Sequence, residues 1–269
     1  MGDVGDFGKY GLLRHLCAGC GDGGPLLSLG VVWYWVPDEG GNDGRHLGYL
    51  KRIPKNLKAF RECDPPLYDA LHKMLYGCCD PPLYDTLGML SGCCYPVLSE
   101  RRNVRAVQNA GILPHTIFYP SPVPANGESA ERSTWAGAAV EQAKDCAVVF
   151  LDPDNGLEPE SRLGRKHVFY KELKPYVETG QSLVVYHHLG RSRNRSHNEQ
   201  IASVASKISS ELGSAREVIS LRYRRGTGRA YFIIPNGREV LFNQRIRSFL
   251  CGPWGQQKVR GRPHFQQVL

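Results

Sequence analysis

The stretch Ala147-Val-Val-Phe-Leu-Asp152-Pro153-Asp154-Asn155-Gly156-Leu157-Glu158 is an apolar run of strand length that ends in an acidic turn. Runs of this kind alternate with helical patterns through the second half of the chain. Such alternation is typical of an α/β fold with a mostly parallel sheet and helices on both faces. The predicted strands span residues 116–119, 147–152 and 182–187, the helices span 133–144, 166–179 and 198–212, and a C-terminal antiparallel hairpin pairs 217–223 with 229–234 across Gly226, Thr227 and Gly228.

The first hundred residues carry a helix, a strand and an insertion. Apolar residues at helical spacing predict a helix over 6–16, and the aromatic run after it predicts a buried strand over 26–36. A helical insertion near 55–95 contains a duplication, Cys63-Asp-Pro-Pro-Leu-Tyr-Asp69 and Cys79-Asp-Pro-Pro-Leu-Tyr-Asp85. An acidic residue before proline is typical of a helix start. No long low-complexity linker divides the chain, so we expect residues 1–269 to form one α/β domain.

Composition indicates a globular protein. The chain has 269 residues, of which 41% are hydrophobic, enough for a substantial core. Its longest apolar runs are far shorter than the ~20 residues that span a bilayer. With no signal-peptide pattern after Met1, we expect a cytoplasmic protein without a membrane partner. Nine cysteines, with Cys17 and Cys20 as the single C-x-x-C, favour free thiols over disulfides or structural zinc.

Charge is distributed unevenly along the chain. Residues 1–100 hold 9 Lys and Arg against 12 Asp and Glu, whereas residues 161–269 hold 20 against 6, a net charge of +14. Arginine outnumbers lysine in the basic part, and its planar guanidinium suits phosphate. A nucleic-acid partner, with DNA favoured over RNA, fits this asymmetry because released counterions favour binding. The alternative is a basic surface that only keeps the protein soluble.

The first candidate site follows the predicted strand 147–152. In open α/β sheets, ligands bind beyond the carboxyl ends of the strands, where Asp152, Asp154 and Asn155 should lie. Two carboxylates and an amide can orient water or bind the edge of a base. The alternative is a turn in which these side chains cap the next segment.

The second candidate site follows the strand 182–187. His187 could act as an acid or base, and Tyr186 or His188 could stack on a base, although a histidine is often structural. Basic residues nearby and in the hairpin would hold the nucleic-acid backbone: Arg191, Arg193, Arg195, Arg222, Arg224 and Arg225. The third candidate is an acidic loop, either a cofactor site or a solvated turn, that contains Asp38, Glu39, Asn42 and Asp43.

The order of elements resembles a class I methyltransferase, which has a Rossmann-like sheet. More narrowly, Gly5-Asp-Phe-Gly-Lys9-Tyr10-Gly-Leu-Leu13 and the strand after it are similar to the start of bacterial 23S rRNA adenine-N6 methyltransferases. That resemblance implies a flipped adenine and S-adenosylmethionine as the cofactor. Asp152-Pro153-Asp154-Asn155 takes the place of the family's Asp/Asn-Pro-Pro-Tyr motif, whose second proline and aromatic are missing. The loop after Val36 also departs from the family's acid and glycine spacing, so we expect no cofactor.

A base-flipping scaffold with an acid-rich pocket favours hydrolysis of an N-glycosidic bond, as by a DNA glycosylase. This chemistry resembles that of antiviral glycosylases that attack modified phage DNA. Asp152, Asp154, Asn155 and His187 would be catalytic, and the base pocket would use Phe7, Lys9, Tyr10, Tyr186 and His188. The alternatives are a methyltransferase on DNA or RNA, an inactive binding module, and a metal-dependent nuclease that uses Asp152, Asp154 and Glu158.

Overall fold

The computed structural model describes residues 1–18, 24–37, 46–76, 103–113, 115–125, 129–158, 164–192, 194–213 and 216–268. The protein is mixed α/β, with a central seven-stranded sheet and helices packed against it. In chain order the strands are β1 (Leu29–Val32), β2 (Thr116–Tyr119), β3 (Val148–Leu151), β4 (Gly156–Leu157), β5 (His167–Val168), β6 (Ser182–His188), β7 (Ile219–Tyr223), β8 (Arg229–Ile234), β9 (Lys258–Val259), β10 (Arg262–Pro263) and β11 (Phe265–Gln267).

The central sheet has the strand order β11-β7-β8-β6-β3-β1-β2. Strands β2, β1, β3 and β6 are parallel neighbours. Strand β8 runs antiparallel to both β6 and β7, and β11 runs antiparallel to β7. Five of the seven strands thus point in one direction, and only β8 and β11 are reversed. The sheet is in this sense mostly parallel, and the predicted C-terminal hairpin is confirmed. Strands β4 with β5, and β9 with β10, form two small separate pairs.

Helices cover both faces of the sheet. They are α1 (Val4–Ala18), α2 (Pro54–Ala59), α3 (Pro65–Tyr76), α4 (Val104–Asn109), α5 (Ala130–Ala143), α6 (Lys174–Glu178), α7 (His197–Leu212), α8 (Glu239–Cys251) and α9 (Pro253–Gln256). Residues of α1, α3 and α8 share one hydrophobic cluster with the sheet, and residues of α5, α6 and α7 share the other. In β3, Val148 and Phe150 face the first cluster while Val149 and Leu151 face the second. Burial on both faces explains why this strand is continuously apolar.

The strand order creates a switch point between β1 and β3. The chain passes from β1 to β2 on one side of β1, and then crosses to β3 on the other side. Ligands of open α/β sheets bind in the crevice at such a point, outside the carboxyl ends of the strands. This edge of the sheet also receives the ends of β6 and β7 and the start of β8. We call it the carboxyl edge.

Two sequence predictions about secondary structure are wrong in extent. The strand expected over 26–36 is reduced to β1, because Tyr34 has a positive φ of 45° that no regular strand accommodates. The helix expected over 166–179 is instead β5, a 3-10 turn at Tyr170–Glu172 and the short helix α6. Pro175 cannot donate a backbone hydrogen bond, so it occupies the first turn of α6 rather than a helix interior.

The insertion is helical where it is described. Asp64 accepts a hydrogen bond from the Leu67 N–H at 3.0 Å and so caps α3, as predicted for the first copy of the duplication. The second copy, with Cys79 and Asp85, lies outside the described residues. The organisation into one domain stays a prediction.

The described part of the chain contains free thiols and no membrane-spanning helix. No helix in the described part of the chain is both long and apolar enough to cross a membrane. Four cysteines are described, and all are free thiols: Cys17, Cys63, Cys146 and Cys251. The other five cysteines, including Cys20, are outside the described ranges.

Candidate active site at the carboxyl edge of the sheet

Helix α1 approaches the sheet closely because one of its faces consists of glycines. The glycines recur at every third position, which places them on the same side of the helix. A Cβ atom at Gly5, Gly8 or Gly11 would collide with the side chains of Arg229, Tyr223 and Trp254, respectively. The close approach brings the polar N-terminus of α1 to the carboxyl edge.

Two aspartates organise this N-terminus. The Asp3 carboxylate accepts hydrogen bonds from the backbone N–H groups of Gly5 at 2.8 Å and Asp6 at 3.0 Å. The Asp6 carboxylate accepts one from the Gly2 N–H at 2.6 Å. Carboxylates are stabilised at a helix N-terminus, because the free N–H groups there carry partial positive charge. Both aspartates are therefore fixed in position before any ligand binds.

Lys9 joins this N-terminus to the end of β3. Its Nζ donates to Asp152 Oδ2 at 2.7 Å and to Asp6 Oδ1 at 3.1 Å. The three residues are only 7–8% exposed. Buried charges are stable only when they are paired and hydrogen-bonded, and these are both. The chain thus holds a buried Asp6–Lys9–Asp152 bridge between positions 143 residues apart.

The two carboxyl groups of the bridge titrate very differently. Burial raises the pKa of Asp152 to about 6, although the opposing charge and hydrogen bond of Lys9 limit the rise. Burial also acts on Asp6, but the charges of Lys9 and the N-terminus outweigh it and lower its pKa to about 2. Burial opposes the Lys9 charge, yet Asp152 and Asp6 hold the Lys9 pKa well above its usual value. Near neutral pH, Asp152 is the group of the bridge that can exchange a proton.

Arg229 and Tyr186 border the bridge. Arg229 Nη2 lies 3.6 Å from Asp3 Oδ2, and Lys9 Nζ lies 5.5 Å from the centre of the Tyr186 ring. Tyr186 is 7% exposed, and its hydroxyl is 3.5 Å from Nδ1 of the half-buried His188. Asp154 adds a fourth carboxylate near Asp152, and the amino terminus adds a third cation near Asp6. Four carboxylates thus face three cations at this edge, so the local charge is −1 when all are ionised. A small excess of negative charge favours a positively charged species.

Asp154 and Asn155 lie beside the bridge but not in it. Both are exposed, in the turn between β3 and β4. The Asn155 backbone donates to the Lys166 carbonyl at 3.0 Å, and its carbonyl accepts from the His188 N–H at 3.2 Å. These backbone bonds fix the turn while leaving both side chains exposed, where a ligand can reach them.

His187 is held in place by strand β4. Its Nδ1 accepts a hydrogen bond from the Leu157 N–H at 3.1 Å, which leaves the ring proton on Nε2. Burial, with the nearby His188 and His167, lowers the pKa of His187 to about 4. The imidazole is therefore neutral at physiological pH. A neutral ring of fixed tautomer can donate a hydrogen bond from Nε2.

Gly156 makes room for His187, and substitution there tests the arrangement. Gly156 has a φ of +106°, and an added Cβ would lie 2.7 Å from His187 Cα. Gly156→Ala is therefore expected to destabilise the fold by at least about 1–3 kcal/mol, the cost of the backbone conformation alone. Gly137→Ala is the control, because Gly137 lies in α5 with open space around it and should gain about 0.5–1 kcal/mol. Urea unfolding measures both, and equal stabilities for the two variants would contradict the packing described.

Phe7 and Tyr10 do not line a pocket. Both are completely buried. Phe7 packs on Tyr49 and Trp254 with ring centres 5.3 Å and 4.8 Å away. Neither ring is presented to a base in this structure, in contrast to the expectation from sequence. Their helical spacing reflects the core face of α1.

The basic residues fall into three environments. Arg191 and Arg195 are exposed between β6 and α7, and Arg193 lies outside the described residues. Arg222 and Arg224 are half-buried on β7 and just after it. Arg225 is buried, and it donates to His264 Nδ1 at 3.0 Å and to the Arg262 carbonyl at 2.6 Å. Arg225 therefore braces the C-terminal strands, and this geometry does not favour the expected phosphate contact.

The remaining sequence candidates concern a cofactor and a metal. The acidic loop with Asp38, Glu39, Asn42 and Asp43 lies outside the described residues. Among the residues that are described, no group of three or more His, Cys, Asp or Glu could hold a metal ion. The Glu158 carboxylate accepts from the Tyr170 N–H at 3.0 Å, so one of its oxygens is committed to the backbone there. The described residues therefore offer no metal site for the nuclease alternative.

Sequence inspection missed Asp3, Asp6 and Arg229 as parts of the site. It placed Lys9 in a base pocket, whereas the structure pairs Lys9 with Asp152. The available signal was the spacing of Asp3, Asp6 and Lys9, which puts three charges on one face of a helix. Charges on a helix otherwise buried in the core require partners elsewhere in the fold.

Two comparisons with known proteins found no match. No family model matches the sequence, and no curated protein matches it. What the site can do is therefore inferred from its own chemistry. It offers a proton acceptor with a pKa of about 6, an excess of negative charge, and exposed polar groups next to them.

Proposed function

We propose that the protein hydrolyses an N-glycosidic bond in a nucleic acid, with DNA as the favoured substrate. The observation that carries this proposal is the Asp152 carboxylate, buried at the carboxyl edge, bound to Lys9 and with a pKa of about 6. A general base works best when its pKa lies near the working pH. Asp152 meets that condition, and Asp6 does not.

The reaction needs one water and no other reactant. Asp152 accepts a proton from the water, whose oxygen forms a bond to C1′ of the sugar. The C1′–N bond breaks, its electron pair stays on the base nitrogen, and the base nitrogen takes up a proton from solvent. Asp152 then returns its proton to solvent, so the net reaction consumes one water. The sugar becomes oxocarbenium-like as this bond breaks, as in other glycoside hydrolyses. The net charge of −1 at this edge, with Asp154 and the amino terminus included, supports such a cationic transition state.

Lys9 acts as a positioning residue in this mechanism. Its two carboxylate partners keep it protonated, so it is a poor nucleophile. Its hydrogen bond fixes the direction of the Asp152 carboxylate and limits how far burial raises the pKa. Without Lys9, Asp152 would be protonated near neutral pH and could not accept a proton from water.

The leaving base would be held by polar groups at the carboxyl edge, with His187 on the face of the sheet away from α1. His187 has Nε2–H available as a donor, and the exposed Asp154 and Asn155 offer further acceptors and a donor. Enzymes that act on a base inside a duplex first rotate it out of the stack. The exposed Arg191 and Arg195 lie on the loop after β6, at the same edge, where they can hold the backbone.

A methyltransferase is the second candidate, and one observation favours it. The switch point between β1 and β3, with the antiparallel strand β8 beside parallel β6, supports the Rossmann-like, methyltransferase-like sheet expected from the resemblance. The residues that would hold S-adenosylmethionine, in the loop with Asp38 and Asp43, are outside the described ranges, so no step is assigned to that cofactor.

The pH dependence of the reaction follows from Asp152. Base release is expected to rise as the pH increases through about 6, as Asp152 loses its proton, and to level off above about 7. His187 is already neutral throughout that range and adds no inflection. The initial rate of base release, measured across the pH series on one DNA, tests this. A rate that falls above pH about 6 would mean that Asp152 donates a proton instead.

A direct assay separates the proposed activity from its rivals. DNA is incubated with the protein alone, with added S-adenosylmethionine, or with magnesium ions and then a chelator. Abasic sites, detected with an aldehyde-reactive probe and formed equally in every arm, are the expected result. Methylation only with the cofactor would replace the proposal by the methyltransferase, and magnesium-dependent strand scission would replace it by the nuclease.

A further inference from the structure

Three arginines gather at the end of β7 on the face covered by α7. Arg222 and Arg224 are two residues apart, so they point to the same side of the sheet. Arg222 donates through Nη1 to Asn198 Oδ1 at 3.1 Å, and its Nη2 lies 2.6 Å from His197 Nδ1. Arg224 donates through Nη2 to Gln266 Oε1 at 2.8 Å. We call Arg222, Arg224 and Arg262 the arginine cluster.

The charges of the arginine cluster are not neutralised. In the described part of the chain, no carboxylate forms an ion pair with any of its members. Burial and the neighbouring charges of Arg224 and Arg262 lower the pKa of Arg222, and burial and Arg262 lower that of Arg224. The hydrogen-bond partners of Arg222 and Arg224 are neutral side chains. The cluster is thus held together against its own repulsion.

The arginine cluster also contains two buried donors without a hydrogen-bond partner. The Nε atoms of Arg222 and Arg224 are buried and have no hydrogen-bond partner. An unmade hydrogen bond at a buried charged group is costly, and native structures rarely keep one without a reason. The first residues of α7, His197 and Asn198, contribute to the same spot, and a helix of 16 residues adds positive potential at its N-terminus. Guanidinium groups match phosphate oxygens in geometry and charge.

The position of the cluster identifies which phosphate it would take. Arg222 and Arg224 lie at the carboxyl edge, as Asp152 does, but β7 is three strands from β3 in the order β3-β6-β8-β7. Strands are spaced about 4.8 Å apart, and the two sets of side chains lie on opposite faces, so the separation is at least about 14 Å. Successive nucleotides of a B-form strand rise about 3.4 Å, so this phosphate belongs to a nucleotide other than the reacting one.

We propose that the arginine cluster, with the N-terminus of α7, is a phosphodiester-binding subsite for a nucleotide that flanks the reacting one. Buried Arg225 positions it, because its guanidinium donates to the backbone carbonyl of Arg262. The flanking location rests on the proposed function, whereas the phosphate binding itself does not. The subsite therefore makes the protein prefer a polynucleotide over a single nucleoside.

Binding measurements test the subsite without relying on catalysis. Fluorescence anisotropy of a labelled oligonucleotide is measured over a series of potassium chloride concentrations for the full-length protein and for Arg222→Gln, Arg224→Gln and the double variant. The slope of log K against log salt should fall by about 1 for each arginine removed. Arg247→Gln, an exposed arginine of α8 on the opposite face of the sheet, should leave the slope unchanged. Competition by inorganic phosphate should weaken with the same two substitutions.

Folding is checked in the same samples. Removing a mutually repelling charge should leave the unfolding midpoint of each variant equal to or above that of the parent protein. Slopes equal to that of the parent in the two single variants and the double variant would overturn the subsite, even if the protein releases bases. A reduced slope in these variants without any base release would keep the subsite and refute the proposed reaction.

Discussion

Replacing Asp152 with asparagine is expected to lower the rate of base release by about 10²–10⁴-fold, the usual contribution of a general base. Asparagine keeps the size of the side chain and can still accept the Lys9 hydrogen bond, but it cannot take a proton from water. Lys9 also keeps its ion pair with Asp6 at 3.1 Å, so the buried cation stays compensated. Affinity for an oligonucleotide should therefore change little.

Asp145→Asn is the matched control for this experiment. Asp145 is an exposed aspartate that precedes β3 at the opposite edge of the sheet, so its loss should affect neither rate nor affinity. Rates are measured as base released per unit time, affinities by anisotropy, and folding by circular dichroism. Full activity of Asp152→Asn in a folded sample would refute the role of Asp152 as general base. Loss of oligonucleotide binding would instead show that Asp152 contributes to binding the nucleic acid.

The second large effect concerns stability. Lys9→Met removes the cation that lies between Asp6 and Asp152 and leaves two buried carboxylates facing each other. Breaking a buried ion pair on one side typically costs about 3–5 kcal/mol. With Lys9 absent, the pKa of Asp152, already raised by burial, rises further, and Asp6 loses the largest charge that lowers its pKa. The free energy of unfolding of the variant should therefore be lowest near neutral pH and should recover as the pH falls.

A double variant separates this electrostatic cost from lost packing. In Lys9→Met with Asp152→Asn, one carboxylate is gone, so part of the stability lost at neutral pH should return. Urea unfolding of the parent, both single variants and the double variant gives the coupling energy. Equal losses for Lys9→Met at neutral pH and at pH about 5, with no recovery in the double variant, would contradict a charged bridge.

The chemistry of the site could be predicted from sequence only in part. The sequence indicates Asp152 as a site residue because it ends a continuous apolar strand, and ligands of such sheets bind there. The pairing of Asp152 with Lys9 could not be predicted, because the two residues are 143 positions apart and meet only when α1 packs across the sheet. The burial of Phe7 and Tyr10 could not be predicted for a related reason. A helical pattern of aromatic residues shows that a face is apolar, but not whether the sheet or a ligand covers it.

The fold was predictable where one local signal dominates. Strands β3 and β6 are long apolar runs, and the hairpin β7–β8 has glycines in its turn, so all three were found. Residues 166–179 mislead because their apolar spacing fits a helix, whereas Pro175 and the Glu172 carboxylate, which accepts from the Phe169 N–H at 3.1 Å, divide the segment. Strand β11 joins the sheet through its pairing with β7, which nothing in its three residues indicates.

We propose above all that the protein removes a base from DNA without a cofactor. The most direct test is mass spectrometry of ordinary and base-modified DNA after incubation with the protein alone, with Asp152→Asn in parallel. We predict free base in solution and an equal amount of abasic sites in the DNA, both reduced by about 10²–10⁴-fold with the variant. Intact DNA in every sample, or a methyl-sized mass gain that requires S-adenosylmethionine, would contradict the claim.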